Sequence, residues 1–344
     1  MPSRIETDPR LDSRIRAAFA GMNTGMPQTD VASRKELMAQ ETSPQGVALY
    51  ARQVALFDRM DSELVASSAG LSIHTEMFTS APNGNSINIQ FIRPDTRDTL
   101  PCIYYIHGGR MAFSSAYEGN YKTWGRMMAA RGVAVAMVDF RNSVHPSSTQ
   151  QVAPFPAGLN DCVSGLKWVH AHPAALGIDP ARIVVAGESG GANLGLALGM
   201  TLKRSGELQL IKGIYAMCPF IAGQWPQPQY PSSIENEGIF ITTHNNRSAM
   251  AYGIDAFNQR NPLAWPAFAV EDDVAGLPPV KISVNECDPL RDEGIAFYRL
   301  LMRAGVAARC REIKGTCHGI EILPTICPDI ARDTASDIAH FAFE

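Results

Sequence analysis

Three residues of this 344-residue chain could do chemistry together: a serine, an aspartate and a histidine, each just after an apolar run that reads as a β-strand. Ser189 lies in Gly187-Glu188-Ser189-Gly190-Gly191, between the strand-like Arg182–Ala186 and an Ala/Leu-rich helix that continues through Leu202. A serine on so sharp a strand-to-helix turn is held in a strained conformation with its hydroxyl exposed. It also stands over a helix N-terminus, whose free N–H groups favour a developing anion. Side chains at Gly187 or Gly191 would collide with the elements they join. Alone, the pentapeptide equally suits a glycine-rich turn with an idle serine.

Asp288 follows the run Val280–Val284 and precedes Pro289, which biases it away from helix and into a loop. Asp292 falls where the next helix begins, and Glu286 is a weaker competitor. His318 sits in a Gly-flanked loop, Lys314–Ile320, after the run Ala307–Ile313. The stretch between Asp288 and His318 is long enough for one helix and one strand, so the two loops can be neighbours. Neutral His318 would take the proton from Ser189, while Asp288 fixes its tautomer and stabilises the imidazolium. Of the eight histidines, one other, His107, has a similar setting. It opens His107-Gly108-Gly109-Arg110 after the strand-like Ile103–Ile106. Glycines there let backbone N–H groups turn toward a substrate oxygen, so Gly108, Gly109 and Gly190 form the expected oxyanion hole. Such donors are worth about 2.7–4 kcal/mol each in the transition state. His107 is expected to hold the loop by hydrogen bonds, and an ordinary strand-ending turn remains the alternative.

These positions call for a sheet with its strand ends on one side. Helical spacing marks residues 31–40 and 44–66, with Ser43 and Pro44 as cap and first position. Residues 71–78 and 87–92 alternate as strands about the turn Pro82–Asn85, predicting an antiparallel start. From Cys102 onward, strands (102–106, 133–138, 183–186, 211–217, 280–284, 307–313) alternate with helices (121–130, 159–170, 190–202, 293–304, 330–343). That order requires right-handed crossovers and a mostly parallel sheet covered on both faces, with ligands at the strands' carboxyl ends. Residues 220–267 interrupt the pattern with Gln224–Pro231, a predicted helix over 245–257 and Trp265-Pro266. This divides the chain into a helical N-terminal segment (1–70), a first core part (71–219), an insertion (220–267) and a second core part (268–344). Both non-core segments could form a lid or simply pack on the core. Trp225, Tyr230 and Phe240 are the candidate pocket residues.

Composition narrows the function classes. A net charge of −4 offers no basic excess for nucleic acid, 45% hydrophobic residues suffice for a large core, and no apolar run is long enough to span a membrane. The charged N-terminus lacks the apolar core of a secretory signal. Seven scattered cysteines without a C-x-x-C pair point away from a disulfide framework and from zinc, and toward a reducing cytoplasm. No metal or cofactor is expected.

The set His107-Gly108-Gly109, Val138-Asp139-Phe140-Arg141 followed by Pro154–Ala157, Gly187–Gly191, Asp288–Gly294 and His318-Gly319 resembles the hormone-sensitive-lipase family of serine esterases. The elbow and the Asn142 and Trp265-Pro266 contexts are most similar to its brefeldin A esterase branch. The resemblance implies an α/β-hydrolase fold, a Ser189-Asp288-His318 triad, a helical cap drawn from the first half of the chain, and hydrolysis of short- to medium-chain carboxylic esters. An amidase or acyltransferase with the same triad, and a non-catalytic small-molecule receptor, are the alternatives; such receptors are expected to lack the histidine. The family's oxyanion loop usually reads His-Gly-Gly-Gly, and this chain departs from it at Arg110. The Arg110 N–H can still serve as a third donor if that position does not need a positive φ, where arginine would be strained; its side chain could instead contact substrate or the cap. The strand over 307–313 is a candidate sheet edge for a homodimer.

Overall fold

A computed structural model describes residues 3–22, 24–25 and 27–344. Eight strands form one sheet: β1 (Leu71–Ser80), β2 (Asn85–Pro94), β3 (Leu100–Ile106), β4 (Ala134–Val138), β5 (Ile178–Glu188), β6 (Gly213–Met217), β7 (Val280–Asn285) and β8 (Ala308–Ile313). Their order across the sheet is β1-β2-β4-β3-β5-β6-β7-β8. β1–β2 and β2–β4 pair antiparallel, and every other pair is parallel.

The central strands β3 to β7 are near-continuous apolar runs because both of their faces are covered. Alternate residues enter two different cores. Tyr104, Ile106, Val185 and Ile214 belong to one, with Leu166, Leu194 and Leu300 from the helices Ala157–Ala171, Gly190–Ser205 and Arg291–Arg303. Ile103, Tyr105, Val184 and Tyr215 belong to the other, with Trp124 and Ile338 from the helices Gly119–Ala129 and Pro328–Phe343. That period of two is the ordinary pleat of a strand, with a helical layer on each side. The two edge strands are less buried: β1 alternates, and β8 has no fully buried residue.

Two expected helices differ. The one over 44–66 runs from Pro44 to Asp58, with the Ser43 side chain accepting from Gly46 N. It stops because its next residues bind the core: Met60 O accepts from Thr123 Oγ1 at 2.9 Å, and Asp61 pairs with Arg126 at 2.6 Å. Its apolar stripe is only partly covered, since Val47 and Leu49 are exposed. The helix over 245–257 is two short helices, Arg247–Tyr252 and Ile254–Asn258, broken at Gly253.

The N-terminal segment and the insertion meet each other. Asn246 exchanges hydrogen bonds with Val31 N and O at 2.9 and 2.8 Å, and Arg10 pairs with Glu235 at 2.6 Å. Glu293 anchors the insertion from below. Its buried carboxylate accepts from Ile221 N at 2.7 Å, Ala222 N at 3.1 Å and Trp225 Nε1 at 2.6 Å.

Candidate active site

Ser189 follows β5 and has φ 56° and ψ −117°, the strained turn expected of a displayed serine. Its glycine neighbours are required by space. A Cβ on Gly187 would lie 2.7 Å from Ile106 O, and one on Gly191 would lie 2.6 Å from His107 O. The turn is fixed from beneath by Ser189 N donating to Met217 O at 2.9 Å, and by Phe220 N donating to Ser189 O at 3.1 Å.

His318 Nε2 lies 2.9 Å from Ser189 Oγ, and His318 Nδ1 lies 2.8 Å from Asp288 Oδ2. Ser189, His318 and Asp288 are thus positioned as a triad, all three buried to within a few per cent. Asp288 is turned by its own loop, its other oxygen accepting from Leu290 N at 2.9 Å. Asp292 instead accepts from Ser232 N at 2.7 Å and ties the insertion to the helix it begins. Glu286 accepts from Gly315 N at 2.8 Å, bracing the histidine loop from outside.

Two further residues hold this loop pair without a sequence signal that singled them out. Asn285, the last residue of β7, donates to Thr316 Oγ1 at 2.9 Å and to Glu321 Oε2 at 3.1 Å. Asn236, from the insertion, donates to Glu286 O and Asp288 O, both at 3.1 Å. Cys218 follows β6 with φ 35°, and its sulfur lies within 4.8 Å of the ligand atoms of Asp288 and His318. Those three atoms could in principle hold a soft metal ion, but Asp288 and His318 already face each other at hydrogen-bond distance. Cys287 and Cys317 are core residues.

The oxyanion loop departs from expectation at both ends. Gly108 is removed as a free donor, because its N–H points inward to Glu188 Oε1 at 2.6 Å and to Tyr121 OH at 3.0 Å. Glu188 also accepts from Tyr121 OH and Tyr105 OH, each at 2.5 Å, and burial pushes its pKa up to about 7. Glu188 therefore braces the oxyanion loop. His107 stacks on Phe140 at 4.3 Å with its Nδ1 3.0 Å from Gly108 O, a structural role. Arg110 does take a positive φ, 57°, and Met111 after it has the same value. Left-handed non-glycine residues of this kind cost of order 1–3 kcal/mol each. Bonds around them hold the turn: Ala112 N donates to Gly109 O at 2.8 Å, and Ser143 N to Met111 O at 2.9 Å. Among the described residues, the N–H groups of Gly109, Arg110 and Gly190 donate to no protein acceptor. The Gly190 backbone faces them closely, since a Cβ there would lie 2.8 Å from Arg110 N.

Of the aromatic candidates, Trp225 is turned into the core, packed on Phe220 at 4.6 Å with its indole N–H held by Glu293. Its hydrogen-bonded tip and apolar body are both satisfied inside the fold, which corrects the pocket assignment. Tyr230 is half-buried against the same core, and Phe240 packs on Phe19 at 4.8 Å. A cavity of about 140 Å³ does lie beside the oxyanion loop, lined by Tyr50, Arg110, Phe113, His145 and Arg247 among others. The sequence offered one hint of it, the arginine in place of glycine.

Known proteins share this architecture. The α/β-hydrolase fold family matches residues 103–322. The structure of esterase Est22 with p-nitrophenol superposes with a TM-score of 0.96 at 56% identity, covering 98% of this chain and 99% of that one. Brefeldin A esterase, a bacterial homologue of human hormone-sensitive lipase, gives 0.87 at 33% identity over 99% and 98% of the two chains. Carboxylesterase NlhH of Mycobacterium tuberculosis is 29% identical over 263 residues, 72% of this chain and 74% of its own length. No helix among the described residues is long and apolar enough to cross a membrane. With a serine, histidine and aspartate aligned at the strand ends, the chain belongs to the α/β-hydrolase family and is a carboxylic ester hydrolase of the group related to hormone-sensitive lipase.

Proposed function

We propose that the protein hydrolyses short- to medium-chain carboxylic esters through an acyl-Ser189 intermediate. What carries this reading is the hydrogen-bonded chain from Ser189 Oγ through His318 to Asp288. Ser189 Oγ attacks the ester carbonyl while His318 Nε2 accepts the hydroxyl proton, and Asp288 stabilises the imidazolium. The negative charge that develops on the carbonyl oxygen is met by the N–H groups of Gly109, Gly190 and Arg110. His318 then gives its proton to the departing alkoxide, leaving the acyl group on Ser189. A water, deprotonated by the same nitrogen, attacks the acyl-enzyme. The acid is released and the serine hydroxyl restored.

The N-terminal segment and the insertion serve together as a cap, supported by the bonds that join Val31 to Asn246 and Arg10 to Glu235. The enzyme works in the cytoplasm. A homodimer would form through the edge strand β8, and light scattering of the purified protein tests it.

Hydrolysis of p-nitrophenyl esters from acetate to palmitate, by wild type beside Ser189→Ala, tests the reading. Turnover that peaks at short chains and disappears in the variant is expected. Equal rates in both proteins would mean that another residue is the nucleophile.

A further inference from the structure

Arg110 combines two features that the hydrolytic mechanism does not require. Its backbone lies in the oxyanion loop at a position strained for arginine, and its side chain folds inward. Nη2 donates to Thr242 O at 3.0 Å, and the guanidinium carbon lies 5.9 Å from the centroid of the Phe220 ring. The residue under the charge, Phe220, is bonded through its backbone N–H to Ser189 O. Yet no carboxylate among the described residues comes within 4.0 Å of the Arg110 guanidinium. Glu237 attracts it from a distance, but that carboxylate is occupied by Thr243 N at 2.9 Å and the Thr243 hydroxyl at 2.7 Å. Burial lowers the Arg110 pKa from its ordinary value, as desolvation does to a cation without a close counter-ion. An arginine nevertheless keeps its charge in proteins.

The cavity beside the loop has the same imbalance. Its one acidic lining residue, Glu41, is already bonded to Arg247 at 2.8 Å and to His145 Nε2 at 3.2 Å. His145 is stacked on Tyr50 at 3.9 Å, which closes the apolar wall. Of the arginines that line it, Arg247 is paired with Glu41 and Arg110 has no carboxylate partner among the described residues. A half-buried cation without a close counter-ion gains from a partner, and its planar fork suits a carboxylate.

We infer that the enzyme prefers anionic esters, substrates that carry a free carboxylate on the acyl or alcohol arm, and that Arg110 binds that carboxylate. This deepens the esterase reading and rests on it. The pairing is present in both ground and transition state, so it acts mainly on KM.

The test is pH-stat hydrolysis of two substrate series by the full-length protein. Monoethyl malonate to monoethyl adipate place the carboxylate on the acyl arm, and the acetate esters of glycolic and 3-hydroxypropanoic acid place it on the alcohol arm. Each is compared with its neutral carboxamide counterpart. Wild type is expected to favour the anion by about tenfold or more in kcat/KM in one of the two series, the effect of a charge-assisted hydrogen bond. The preference should shrink as sodium chloride is raised. Arg110→Met should remove it, and Arg110→Lys should retain part of it. Because each ratio compares two esters on the same enzyme, any general loss from disturbing the loop cancels. A wild-type ratio near or below one in both series would overturn the inference, and so would a ratio unchanged in Arg110→Met. Should the methionine variant not fold, the salt dependence of the wild-type ratio decides alone. Failure to hydrolyse any ester, p-nitrophenyl acetate included, would instead sink the esterase reading itself.

Discussion

The triad and the loop after β3 are positioned by different means. Ser189 and Asp288 follow β5 and β7, and His318 stands in the loop after β8, so the sheet sets their spacing. The loop after β3 has no such regular frame beyond Ile106. It depends on side chains from elsewhere: Glu188 and Tyr121 on Gly108, Thr242 on Arg110, and the neighbouring turn at Ser143. The insertion resembles the loop in this respect, anchored by Glu293 and, through Asn246, by Val31 of the N-terminal segment. Groups set by the sheet should lose function on substitution without losing the fold. Groups held by buried polar contacts should lose some of both.

The largest expected effect is on the sheet-positioned side. Ser189→Ala should lower kcat by about 10⁶ and Asp288→Asn by about 10⁴, with unfolding temperatures close to wild type. A large loss of stability in Ser189→Ala would blur the contrast. On the other side, Glu293→Ala leaves three buried N–H donors without an acceptor and should destabilise the protein by about 3–5 kcal/mol in urea titrations. If the cap were independent of that carboxylate, the midpoint would not move. Glu188→Gln should be intermediate in kind, lowering kcat by about 10- to 100-fold while KM changes little, because the oxyanion donors shift with Gly108. An effect on KM alone would remove Glu188 from the support of the transition state.

The smallest effect is one of pH. Burial raises Glu188 and Glu118 to about 7 from an ordinary 4.5, and Asp58 and Asp139 add to the shift at Glu118. A carboxyl raised in the folded state contributes stability that is complete below about 4.5 and is lost as pH rises through about 7. The melting temperature should therefore fall between about pH 4.5 and pH 7, and Glu118→Gln should reduce that slope by the share Glu118 carries. Glu188, and Glu293 raised by burial to about 8, should keep part of the slope in the variant; a slope equal to that of wild type would take Glu118 out of the account.

The same contrast explains what could be read from the sequence. Each triad residue follows a run of apolar residues and is flagged by a local breaker: Gly187 and Gly190 at the serine, Pro289 after the aspartate, Gly319 after the histidine. Those signals are short-range, so strand ends and chemistry were legible together. Glu188 lies beside the nucleophile, yet its partners Gly108, Tyr105 and Tyr121 are remote in sequence, and nothing local pointed to the oxyanion loop. Trp225 looked like a pocket residue because proline and aromatics surround it, and its true partner, Glu293, lies in the helix Arg291–Arg303. The break at Gly253 was missed because apolar spacing runs on through it. Arg110 was visible as an oddity, but its positive φ and inward side chain depend on packing against the insertion.

The most direct test mixes the wild-type enzyme with p-nitrophenyl butyrate, quenches within the first turnovers and maps the digested protein by mass spectrometry. One butyryl group on the peptide carrying Ser189, absent from Ser189→Ala and much slower to form when His318 is replaced by alanine, is the predicted result. A butyryl group on another residue, or steady turnover in Ser189→Ala, would contradict the assignment of Ser189 as the nucleophile.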